Sequence, residues 1–173
     1  MKSILFSFLL MKIIFIEIDS NSCRLFENRL YQIKGQFPGL KEFYGLMTLL
    51  PNGNYFQTFN IANGNNELEV GFNFQSNTHQ GHYKCLSGNR LKLTNIGFIY
   101  KTNQSISILE ENGALSLLQY RIQFLDGTNR RGQGNIRFSF FQTGINPFNP
   151  RNQPILNGPI GNLTCEIFNS RNY

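Results

Sequence analysis

The densest run of reactive side chains is His79-x-x-His82-x-x-Cys85, three residues of the types that ligate zinc. Ligands at i and i+3 converge when they project from a helix, whereas on a strand positions three apart face opposite sides. The surrounding residues alternate as a strand does. His79 is therefore expected in a loop, His82 on the wet face and Cys85 inward beside Tyr83, so no metal site is expected. Acid–base work needs a carboxylate or histidine withdrawn from water. Glu67, Glu69 and Glu166 fall on the outer face of their segments, and Glu110 and Glu111 lie near a turn. Asp126 sits in a turn, where its side chain can bond the backbone that follows. No serine–histidine–acid arrangement is legible. Gly132-Gln133-Gly134, after Arg130-Arg131, resembles a phosphate loop, but such loops open a helix and the next residues alternate as a strand. No cofactor is expected.

The elements that must position these residues read as strands. Leu68, Val70, Phe72 and Phe74 share one face of their segment, with polar residues or glycine on the other. Leu118, Tyr120, Ile122 and Phe124 repeat the pattern, as do Ile136, Phe138 and Phe140, and then Leu163, Cys165 and Ile167. A strand with one wet face belongs to an antiparallel sheet. The breaks carry turn residues: Pro51-Asn52-Gly53, Asn63-Gly64-Asn65-Asn66, Ser87-Gly88-Asn89, Asn112-Gly113 and Asp126-Gly127-Thr128-Asn129. They divide the chain into strands at 43–50, 54–61, 67–74, 81–86, 90–100, 105–111, 114–125, 134–141 and 162–167. One long irregular segment, Thr143–Gly158, is a flap or surface loop. The fold class expected is all-β: a single antiparallel up-and-down barrel of about eight strands, with a β-sandwich as the alternative. Residues 24–34 read as a short amphipathic N-terminal helix capping one end, with Leu25, Phe26, Leu30 and Ile33 inward.

Composition agrees with a packed, exported domain. The chain has 17 Phe, 7 Tyr, no Trp and only 15% charged residues. The formal charge of +6 comes from lysines and arginines scattered along the sequence, which reads as solubility or mild affinity for anionic surfaces, not as a nucleic-acid interface. Met1–Ile16 has a basic start and an apolar run, the layout of a secretory signal, and that run is too short to span a bilayer comfortably. The expected division is residues 1–22 signal peptide, 23–42 lead-in, 43–168 barrel and 169–173 tail. The sequence before Cys23 lacks the pattern of a lipidated cysteine. Export leaves an odd number of cysteines; Cys85 and Cys165 are the natural pair, closing a loop worth about 4 kcal/mol in the chain-entropy model, with free buried cysteines as the alternative. Asn103-Gln104-Ser105 and Asn162-Leu163-Thr164 are glycosylation acceptors in form.

From Gly81 onward the chain resembles small exported lipocalin-like (calycin-type) barrel domains. The resemblance rests on Gly81-His82-Tyr83, Gly88-Asn89-Arg90-Leu91, Ile96-Gly97-Phe98, Leu125-Asp126-Gly127, Gly132-x-Gly134 and Gly161-x-Leu163-Thr164. It implies a calycin barrel but transfers no ligand residue, because the tryptophan of the lipocalin first strand has no counterpart in the chain. Architecture and alternation together suggest a binding module for a small, largely apolar ligand, with Phe72, Phe74, Tyr83, Tyr120, Phe124, Phe138 and Phe140 as candidate cavity residues. A cyclase- or isomerase-like enzyme would need a polar residue facing the cavity. A structural or interaction protein would have a filled interior and a distinctive outer patch or flap at Thr143–Gly158.

Overall fold

The computed structural model describes residues 23–40, 42–60, 75–100 and 112–168. In chain order the strands are β1 (Arg29–Gln36), β2 (Phe43–Leu49), β3 (Asn54–Phe59), β4 (Gln75–Ser76), β5 (His79–Leu86), β6 (Arg90–Tyr100), β7 (Ala114–Phe124), β8 (Arg131–Gln142), β9 (Leu156–Asn157) and β10 (Gly161–Ile167). The expected strands at 67–74 and 105–111 lie outside the described residues, as does the signal segment. Eight long staves run β1-β2-β3-β5-β6-β7-β8-β10, every neighbour antiparallel, and β10 pairs with both β8 and β1. The sheet is therefore a closed barrel and not a sandwich. Closure leaves no stave with an unpaired edge.

The turns follow from their residues. Asn52 and Gly53 both take positive φ, as do Gly88 and Asn89, the requirement of a tight hairpin turn. Asp126 caps its turn as expected, accepting the Arg130 amide at 3.1 Å, and that bond is the main cause of its lowered carboxyl pKa.

Two expectations for the N-terminal segment are corrected. Residues 29–36 form a strand, not part of a helix: Tyr31 and Ile33 are buried while Gln32, Lys34 and Gln36 are exposed, a period of two. Among the described residues, Cys23 and Arg24 are helical and a turn at 25–28, ended by Asn28 at φ 58°, leads into the strand. The barrel consequently starts at Arg29, and the expected lead-in supplies the stave that closes it. The turn plugs one rim. Phe26 packs on Phe124 at 4.8 Å between ring centroids, Tyr31 Oη donates to the Asn129 carbonyl at 2.9 Å, and Tyr83 Oη donates to that of Leu50 at 2.8 Å.

A bulge shapes the opposite rim. Ser76 pairs with Ile99 but Gln80 pairs with Ile96, so three residues, 77–79, oppose two. The side chain of Asn77 fills the interrupted ladder, its Oδ1 accepting the Phe98 amide at 2.8 Å. The extra residue re-aims the strand, and His79 begins β5 facing the interior, where a loop position was expected.

Candidate functional site

The cysteines are not arranged as expected. Cys85 is bonded to Cys23, with Cα atoms 5.5 Å apart, and Cys165 is free and buried. The barrel order explains the correction. β5 and β10 are separated by three staves in either direction, so Cys85 and Cys165 stand on opposite walls with the core between them. A disulfide requires Cα atoms within about 7 Å. Burial pushes the Cys165 thiol up to about 12, which makes it a poor nucleophile. The disulfide fits an oxidising environment. His79 is inside, His82 is exposed outside and Cys85 is bonded, so the three do not converge on a common point.

The interior is apolar with one polar seam. Tyr83, Tyr120, Phe124, Phe138 and Phe140 are all buried in a single packed cluster, as alternation implied, while Phe72 and Phe74 lie outside the described residues. Gln57 pairs in register with His79, and Asn95 Nδ2 donates to Gln57 Oε1 at 2.8 Å. The imidazole of His79 lies over Gly97, where any side chain would collide with it, and meets Phe59 edge to face at 5.6 Å. Both its nitrogens, Gln57 Nε2, Asn95 Oδ1 and the hydroxyls of Tyr55 and Tyr120 are buried without a hydrogen-bond partner. Burial lowers the His79 pKa from 6.5 to about 4, keeping the ring neutral. Burial also drives both tyrosines well above 10; the nearby amides of Gln57 and Asn95 oppose the rise at Tyr120 without completing a bond. Chemically, this seam offers neutral donors and acceptors and no ionised group.

A second constellation lies on the outer wall. A groove of about 630 Å³ runs over β3, β5, β6 and β7. Phe56, Ile96, Phe98 and Leu115 supply its apolar surface, and Asn54, Gln80, His82 and Thr94 its polar edge. Phe148 reaches it from the segment after β8. Phe56 and Phe98 are each 42% exposed and Phe148 59%. The segment is held by its asparagines. Asn146 Oδ1 accepts the Phe148 amide at 2.9 Å, Asn149 Oδ1 accepts the Arg151 amide at 3.0 Å, and Asn152 Nδ2 donates back to the Asn146 carbonyl at 2.9 Å. Farther along, Ile155 and Gly158 bond Phe140 and Phe138 of β8, and β9 pairs beside them. Thr143–Gly158 is thus an ordered arm that presents Phe148.

None of these groove residues was a candidate ligand contact in the sequence, although His82 stood in the histidine–cysteine run and Phe148 in the expected flap. The available signal was broken alternation: Ile96-Gly97-Phe98-Ile99 and Leu115-Ser116-Leu117-Leu118 put apolar side chains on both faces of their strands. Leu117 and Phe141 are buried yet stand apart from the interior cluster, a sign that part of the outer wall is covered. Of the glycosylation candidates, Asn162 is exposed on β10 and Asn103 lies outside the described residues. Among the described residues no helix is long and apolar enough to cross a membrane. Compared with known proteins, the chain matches no family model, no curated protein and no solved structure.

Proposed function

We propose that the chain is a secreted β-barrel binding module that holds a small, largely apolar ligand in the outer groove beneath Phe148. The observation that carries this reading is the groove itself: about 630 Å³, within the range of small-molecule sites, with three half-exposed phenylalanines and a polar edge. Apolar surface of this kind is otherwise costly to leave in water. Export is supported by the signal-like start and the Cys23–Cys85 disulfide, and Asn162 is exposed as a glycan acceptor would be. The kinship with lipocalin-like domains is proposed at the level of architecture, with the site moved from the lumen to the wall.

The unpaired atoms of Gln57, His79, Asn95, Tyr55 and Tyr120 favour a second reading, a cyclase- or isomerase-like barrel acting on a neutral substrate inside. One titration separates the two. Saturable binding of the uncharged probe N-phenyl-1-naphthylamine should weaken about tenfold in Phe148→Ala, the loss expected for one buried aromatic contact. It should be unchanged in Gln57→Leu. The reverse result moves the site into the lumen, and no saturable binding removes the groove reading.

A further inference from the structure

We infer that the ligand of the outer groove is an anionic amphiphile, its tail in the groove and its head on the cross-strand row Lys84–Lys92–Arg121. This rests on the groove reading above and adds the chemistry of the ligand. Lys84 is directly opposite Lys92, and Lys92 directly opposite Arg121, on three successive staves. All three are exposed. Like charges facing one another across strands repel and are avoided unless something offsets them. Among the described residues, β5, β6, β7 and β8 contain no Asp or Glu, and the ion pairs Lys34–Glu42 and Arg131–Glu166 involve none of the three.

The row also continues the groove. The groove's polar edge includes His82 and Thr94, which pair with each other. Two residues farther along β5 and β6, on the same face, stand Lys84 and Lys92. At the rise of a strand that is about 7 Å, the reach of a carboxylate or sulfate at the end of a chain lying in the groove. The apolar floor around Phe98 lies at one end of this face and the cations at the other. That polarity matches an amphiphile and neither a plain hydrocarbon nor a bare anion.

The test uses the full exported chain and four probes: decanoate, decyl sulfate, decanol and inorganic phosphate, each titrated against bound N-phenyl-1-naphthylamine or by calorimetry. Decanoate and decyl sulfate should bind about tenfold tighter than decanol, with the advantage shrinking as salt rises. In Lys92→Gln/Arg121→Gln that advantage should vanish while decanol affinity stays put, and Lys92→Arg should restore it. Equal affinity of anionic and neutral probes, or an advantage that survives the double substitution, overturns the inference and leaves the groove reading standing. Phosphate binding as tightly as decanoate also overturns it, by making the row an anion site independent of the groove. Failure of decanol and decanoate alike sinks the groove reading and this inference with it. Thermal unfolding of the variants, all changed at exposed positions, checks that they fold.

Discussion

His79 is a histidine that burial holds neutral at neutral pH. Its folded pKa of about 4 lies below the ordinary 6.5, so the unfolded chain takes up the proton first. The stability that this contributes is complete above pH 6.5 and is lost as pH falls toward 4, by at most about 3 kcal/mol. Urea unfolding at neutral pH and near pH 4 should show that loss in the native chain, and a flatter profile in His79→Leu. An unchanged slope in the variant would mean that other groups carry the acid limb. At this scale the sequence was only half legible. Inward placement of Tyr83, Tyr120 and Phe138 followed from alternation, and His79 shares the face of Tyr83 by the same period of two. It was missed because the strand was expected to begin at residue 81, and the bulge at 77–79 that carries the ladder past that point is invisible without the partner strand.

Among elements, the most exposed to test is the N-terminal turn. It is stapled to β5 by Cys23–Cys85, a link between residues 62 apart in sequence, worth about 4 kcal/mol in the chain-entropy model. Cys23→Ser/Cys85→Ser should lower the denaturant midpoint and free Phe26 from its seat on Phe124, while the slope rises, because the denatured chain without its cross-link exposes more surface. A midpoint within error of the native one would show the staple to be superfluous. The hairpins around Asn52-Gly53 and Gly88-Asn89 were readable because their residues tolerate positive φ. β1 was not, because Leu30 and Ile33 satisfy a helical spacing while Tyr31, Ile33 and Gly35 satisfy a strand, and only pairing with β2 and β10 decides between them. The disulfide was illegible for a related reason, since spacing says nothing about which wall of a barrel a cysteine occupies.

For the molecule as a whole, closure is the property that local pattern implies without locating. The last seam, Ile33 opposite Cys165, joins segments far apart in the chain, and such long-range pairing forms late and breaks with the whole. The amides of Ile33 and Cys165 should therefore exchange only through global unfolding, at the rate of the most protected amides of β6 and β7. Earlier exchange at that seam would mean the barrel opens there first. The same closure gathers what looked dispersed. Lys84, Lys92 and Arg121 are unremarkable in the sequence, where the positive charge reads as diffuse, and only the register of three staves makes them a row.

Eight staves alternating up and down must begin and finish at the same rim. The amide of Phe168 bonds the carbonyl of Leu30, so the outgoing chain leaves beside the incoming one, on the rim plugged by Phe26. Phe148 and Phe98 stand toward the other rim. A bead, a surface or a fused domain joined next to Cys23 or Phe168 therefore holds the barrel by its sealed pole and leaves the groove beside Phe148 turned toward whatever flows past.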